Sequence, residues 1–211
     1  VTELQTDEEK VEAIKKWWRE NGKSVVGGVV LGFAIIGGWQ GWQIYRTNQG
    51  EQASLLFDAM SQAAAAGRTD AAVSEGQRLV GEYPGSAYAS LAAMQLARLA
   101  YQRGEKSAAR DHLRWVVESG PDAELREIAR LRLGMLLLDM QQLDALDALL
   151  AEPGLVAFAG EFAALRGDLA KARGDLASAR SAYAEALAVG VEDAALLRMK
   201  LVDVGGRLPA G

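Results

Sequence analysis

The chain has 211 residues, no cysteine, a single histidine and a net charge of −5, and half of its residues are hydrophobic. That balance excludes wholesale disorder, a disulfide scaffold, a thiol nucleophile and a cysteine-based zinc site, and it argues against a nucleic-acid partner. The charges are unevenly placed: residues 1–24 carry five basic and six acidic side chains, residues 25–45 carry none, and residues 46–211 hold 18 basic and 22 acidic ones. The sequence therefore divides into a polar tail (1–24), an uncharged segment (25–45) and an acidic domain (46–211) long enough to bury a core.

The uncharged segment reads VVGGVVLGFAIIGGWQGWQIY. As a helix it rises roughly 31 Å, the thickness of one hydrocarbon core. Trp17 and Trp18 precede it, and Trp39, Trp42 and Tyr45 sit near its far end, where aromatic rings anchor a helix at the membrane interface. A buried soluble helix rarely carries six glycines and no charge, and a flexible linker is not filled with Val, Ile and Leu. Trp39-Gln40-Gly41-Trp42 also offers no small-residue cleavage site for a signal peptide. The segment is predicted to be a single uncleaved transmembrane helix. Lys15, Lys16, Arg19 and Lys23 lie just before it, whereas Arg46 is the only basic residue after it until Arg68. The positive-inside rule then puts the N-terminus in the cytoplasm and the large domain across the membrane, which in a bacterium means an inner-membrane protein with a periplasmic domain. Gly28 and Gly32, and Gly37 and Gly41, form two GxxxG pairs, a spacing that lets another membrane helix approach closely.

From Glu51 onward the apolar residues recur at three- and four-residue spacing, with no convincing alternating strand. Breaks fall at Gly67-Arg68-Thr69-Asp70, Tyr83-Pro84-Gly85-Ser86, Ser119-Gly120-Pro121-Asp122, Glu152-Pro153-Gly154, Arg173-Gly174-Asp175 and Gly190. The breaks repeat. Gly67, Gly104, Gln141 and Gly174 each take a mid-hairpin turn, with Ala72, Ala109, Leu146 or Ala179 five residues later and Met60, Ala97, Gly134 or Gly167 seven residues before. Small residues at such positions let two helices cross closely. A period near 34 residues with this layout resembles the tetratricopeptide (TPR) repeat. Met60, Gln141 and Leu146 depart from the pattern, and Pro153 is expected to cut the second helix of the third hairpin short. The expected fold is all-α: one transmembrane helix, then a TPR-like α-solenoid of about four hairpins, and a closing helix over residues 192–204 before a frayed tail.

No nucleotide, zinc-protease or nucleophile-elbow motif occurs, and His112 has neither a Ser nor a Cys partner in its pattern, so it reads as a surface histidine. Neither catalysis nor a cofactor or metal is expected. TPR stacks bind through the first helix of each pair. Here that surface would include Arg98, Tyr101 and Met135, while Met94, Leu131 and Leu138 are assigned to the core.

The segment Val11-Glu12-Ala13-Ile14-Lys15-Lys16-Trp17-Trp18-Arg19-Glu20-Asn21-Gly22-Lys23, followed directly by the glycine-rich anchor and the repeats, resembles the YfgM family, ancillary subunits of the bacterial SecYEG translocon. The resemblance implies a non-enzymatic inner-membrane protein with a periplasmic TPR-like domain. Its implied partners are the translocon and the membrane-anchored chaperone PpiD, the pair receiving secretory proteins as they emerge. It also implies a regulatory contact of the cytoplasmic tail with a stress-response regulator. A membrane-anchored TPR scaffold in another cell-envelope assembly shares the same architecture and is the alternative.

Overall fold

The structure is a computed structural model that describes residues 7–191 and 193–206, without the side chains of 7–9, 13, 41 and 44–47. All regular elements among these residues are helical. They are α1 (Asp7–Ala65), α2 (Thr69–Glu82), α3 (Ala87–Gln102), α4 (Lys106–Ser119), α5 (Ala123–Asp139), α6 (Leu143–Ala151), α7 (Ala159–Ala172), α8 (Leu176–Val189) and α9 (Ala194–Asp203). A short 3-10 turn, Val156–Phe158, separates α6 from α7. The chain forms two compact units, Val1–Gln49 and Gly50–Gly211.

In the first unit, polarity changes along the sequence but the backbone does not. Residues 7–24 are helical in the same α1 as the uncharged segment, so neither end of the expected 25–45 span is marked by a break. A stretch long and apolar enough to cross a membrane lies within Lys10–Gln40, and only 6% of its most apolar window is buried. Val29, Val30, Leu31, Phe33, Ile35 and Ile36 are all exposed. A helix this long and apolar, with so little of it buried among the described residues, is a candidate membrane span.

In the second unit, the last turns of α1 pair with α2, α3 with α4, α5 with α6 and α7 with α8, and α9 closes on α8. Four N-caps set helix starts. Ser86 Oγ accepts from the Tyr88 N–H (3.1 Å), and carboxylate oxygens of Asp122, Asp175 and Asp193 accept from Leu125, Ser178 and Leu196 (2.8, 3.0 and 2.9 Å).

The mid-hairpin turns are the four that the spacing predicts. Gly67, Gly104, Gln141 and Gly174 have φ of 70°, 80°, 56° and 81°. In each, the left-handed residue donates its N–H to the carbonyl three residues back, and the next residue donates to the carbonyl five back. Gly104 to Tyr101 and Glu105 to Ala100 are one instance, Gln141 to Leu138 and Gln142 to Leu137 another. This is the Schellman arrangement, which satisfies carbonyls that the helix end leaves open.

The small-residue positions lie where helices cross. Ala72, Ala109, Leu146 and Ala179 are buried, as are Met60, Ala97, Gly134 and Gly167. A Cβ on Gly167 would stand 2.3 Å from Tyr183 Cε1, and one on Gly134 would stand 2.4 Å from Leu165 Cδ2 and 3.2 Å from Leu146 Cδ1. The departures from the pattern are compensated across the interface. Met60 is accommodated by Gly76, whose Cβ would lie 2.8 Å from Met60 Cε, and Leu146 by Gly134.

The third hairpin is irregular at Pro153. Helix α6 has only nine residues and ends before Glu152-Pro153. The break is held by Arg130, 5% exposed, whose guanidinium donates to the carbonyls of Glu152 and Pro153, pairs with Glu127 (3.2 Å) and lies 4.3 Å over the Phe162 ring. Helix α5 packs on α7, as α3 packs on α5.

The left-handed turn gives a clean test. Gln141→Gly is expected to raise stability by about 0.5–1 kcal/mol, since the strain of a left-handed L-residue exceeds glycine's entropic cost. Beyond its own chain neighbours, a Cβ on Gly104 would meet nothing within 4 Å. Gly104→Ala should therefore cost about 1–2 kcal/mol, from conformation alone. Thermal unfolding of the detergent-solubilised chain, with midpoints moving in opposite directions for the two variants, checks this.

Candidate functional site

The first helices of successive hairpins line a groove of about 660 Å³. Phe57 contributes from the end of α1, Leu91, Met94, Gln95, Arg98 and Tyr101 from α3, and Ile128, Arg132, Met135 and Asp139 from α5. These residues converge because three- and four-residue spacing puts 91, 95 and 98 on one face of α3 and 132, 135 and 139 on one face of α5. The structure thus brings the three expected groove residues, Arg98, Tyr101 and Met135, into one cavity. All three are exposed, Tyr101 at 47% and Met135 at 55%, while Met94 is buried and Leu131 and Leu138 pack half-buried against the core.

Phe57, Leu91, Arg132 and Asp139 were not singled out from the sequence. The signal for Arg132 and Asp139 was their three- and four-residue offset from Met135. Asp139 couples the two sides of the groove: its carboxylate accepts from Tyr101 Oη (3.3 Å) and pairs with Lys106 Nζ (2.8 Å), which also lies 6.0 Å over the Tyr101 ring. The hydrogen bond with Lys106 holds the Asp139 carboxyl below the usual carboxylate range and raises the ammonium in turn. Both groups are solvent-exposed, so the pair orients the groove wall and contributes little to stability.

A second cavity of about 290 Å³ continues the surface, with Met135 shared between the two. Its walls are α5 (Leu131), α7 (Glu161, Asp168) and α9 (Leu196, Lys200). Asp168 accepts from Tyr183 Oη (2.8 Å) and Lys200 Nζ (2.7 Å). Burial and that carboxylate push the Tyr183 hydroxyl well above its ordinary range, so it stays a donor. The closing helix is thereby fastened to α7 and α8 by a buried hydroxyl and a charged pair.

The residues expected in the membrane segment are exposed. Trp17, Trp18, Trp39 and Trp42 are at least half exposed, and the Trp39 and Trp42 rings sit 5.7 Å apart. A Cβ on Gly28, Gly32 or Gly37 would meet nothing within 4 Å. Lys15, Lys16, Arg19 and Lys23 are exposed on α1. The surroundings of Gly41 and the Tyr45 side chain lie outside the described residues.

Among the described residues no group of three or more His, Asp or Glu side chains is placed to hold a metal ion. His112 is half-buried on α4 rather than fully at the surface, and burial outweighs the adjacent Asp111 to lower its pKa. The sign follows. The unfolded chain takes up a proton near pH 6.5 and the folded chain only at lower pH, so stability is unaffected above that range and falls as the pH drops through it. His112→Gln is expected to shrink the difference in unfolding midpoint between neutral and mildly acidic pH, measured in parallel with the unsubstituted chain.

The tetratricopeptide repeat-like domain family matches residues 15–206. The chain is 29% identical to the ancillary SecYEG translocon subunit of Haemophilus influenzae, covering 65% of this chain and 67% of that one. It is 28% identical to the protein of the same name from Escherichia coli, over 67% and 68% of the two chains. It is 26% identical to the one from Neisseria gonorrhoeae, over 72% and 74%. No solved structure matches the chain.

Proposed function

The chain belongs to the tetratricopeptide repeat-like domain family and, within it, to the YfgM family, and from that membership we propose that it is a non-enzymatic accessory subunit of the SecYEG translocon. Residues 25–45 anchor it in the bacterial inner membrane, with 1–24 in the cytoplasm and 46–211 in the periplasm. The observation that carries the reading is the combination of an uncovered apolar helix with a repeat groove, in a chain whose relatives are named as translocon subunits. The helix keeps the protein in the plane of the channel. The groove, rich in apolar and polar contacts and held on rigid helices, presents a binding face without a reacting group. In this reading the domain recruits a PpiD-like membrane-anchored chaperone and helps pass emerging secretory proteins to it. Gly28, Gly32, Gly37 and Gly41, spaced as two GxxxG pairs, are the contact line for a neighbouring membrane helix. Trp17, Trp18, Trp39, Trp42 and Tyr45 set the depth of the anchor, and Lys15, Lys16, Arg19 and Lys23 set its orientation.

Affinity purification from native membranes in mild detergent tests the partner. SecYEG and a membrane-anchored chaperone should be recovered, and lost when residues 1–45 are replaced by an unrelated anchor. Recovery of a different envelope complex without the translocon would overturn the reading in favour of a scaffold elsewhere in the envelope. Orientation is tested separately: a reporter active only in the periplasm, fused after Gly211, should be active, and protease added to spheroplasts should remove the domain. Protection of the domain would reverse the assignment.

A further inference from the structure

Two guanidinia, Arg98 and Arg132, and one carboxylate, Asp139, line the larger groove, so its wall carries an excess of positive charge in a chain whose net charge is −5. Within the groove, Arg98 has no ion pair among the described residues. Arg132 also lacks one, and its Nη1 makes its hydrogen bond to the thioether of Met94 (3.4 Å), a weak acceptor for a cation. The acidic side chain on the groove wall, Asp139, is already taken by Lys106 and Tyr101. The wall therefore presents two guanidinia without a carboxylate partner among the described residues, set among Phe57, Leu91 and Met135. Guanidinium donors bind carboxylates in short, directional, bidentate contacts, and an apolar floor beside them excludes water from such pairs.

We propose that this groove takes a partner segment that is both acidic and apolar, its Asp or Glu carboxylates pairing with Arg98 and Arg132 while Leu-, Ile- or Phe-type side chains fill the space bounded by Phe57, Leu91 and Met135. The inference rests on the reading of the chain as a binding scaffold and adds the chemistry of what is bound. An occupant that is apolar alone would leave two guanidinia desolvated without partners, and a basic one would repel them. A volume of about 660 Å³ has room for several side chains of a short segment.

The test uses the full chain in nanodiscs of phosphatidylcholine, a neutral lipid, so that no anionic headgroup competes. A random-peptide display library is selected on it, and the affinities of individual selected peptides are measured by fluorescence anisotropy. Selected peptides should be enriched in Asp and Glu next to large apolar residues, and their affinity should fall with added salt. R98Q/R132Q should weaken their binding about tenfold or more, as expected for losing charge-assisted bonds. R98K/R132K, which keeps both charges but loses the planar fork, should bind more weakly than the unsubstituted chain and more tightly than R98Q/R132Q. Both positions are solvent-exposed, so helix content by circular dichroism should be unchanged in each variant. Failure to select peptides, selection without acidic enrichment, or affinities within about twofold in R98Q/R132Q would each overturn the proposal. Translocon recovery is read independently. SecYEG recovered from membranes with no acidic selectivity in the groove sinks this inference alone. Acidic selectivity in a chain that recovers no translocon sinks the translocon reading and leaves this one standing.

Discussion

Two helices can approach only as closely as the side chains at their crossing allow, and in this chain that distance is set by small residues at the crossings. At Gly167 the ring of Tyr183 occupies the space a Cβ would need, and at Gly134 the side chain of Leu165 does the same. Everything downstream depends on this spacing. With the second helix of each pair drawn tightly against the first, successive first helices α3 and α5 come to line one continuous wall, and the groove is what remains in front of it. The volume can be exchanged across the contact. Met60 is large where the pattern wants a small residue, and the facing Gly76 gives way; Leu146 is large, and Gly134 gives way. What is fixed is the summed volume at the crossing, as expected of interiors packed to near-crystalline density.

That exchange explains which parts of the fold were legible in the sequence. The turns could be read because a left-handed residue after a helix is a local demand, met by Gly67, Gly104 and Gly174 whatever surrounds them. Gln141 was identified only through its spacing, and its φ of 56° shows that the hairpin geometry overrides residue preference there. Pro153 was equally legible, because a missing N–H and a steric clash end α6 regardless of tertiary context. The continuity of α1 was not legible. Composition divides residues 7–65 into a charged tail, an apolar segment and a first repeat, but the hydrogen bonds of a helix do not depend on side-chain polarity, and none of the glycines there interrupts them. The groove was half legible. Arg98, Tyr101 and Met135 follow from repeat position, whereas the link from Asp139 to Tyr101 and Lys106 joins residues more than thirty apart and exists only once the helices have stacked.

The irregular third hairpin shows a second kind of compensation, in which charge rather than volume is supplied. A helix ended early leaves backbone carbonyls inside the stack, and Glu152 and Pro153 would be two of them. Arg130 reaches both and is itself neutralised by Glu127 and covered by Phe162. The satisfaction is incomplete: Arg130 Nε and Glu127 Oε2 are buried without a hydrogen-bond partner among the described residues. A buried pair of this kind is weak evidence for stability, because desolvating two ions offsets most of their attraction. No apolar side chain could donate to those carbonyls, so the guanidinium supplies the donors that the break in the hairpin requires.

Buried Arg130 and groove-facing Arg98 and Arg132 then mark the two ways a guanidinium can stand in a helical stack. Arg130 is enclosed, and every contact it makes is to its own chain, so its partners are fixed by folding. Arg98 and Arg132 are exposed to solvent, and folding leaves them water as their main acceptor. Water can be displaced at little cost only by a group that restores the hydrogen bonds it made. A binding groove can select its partner in this way, through shape and charge held on rigid helices. The same rigidity is set by the helix crossings, so the packing rule that builds the solenoid also fixes where those two charges stand.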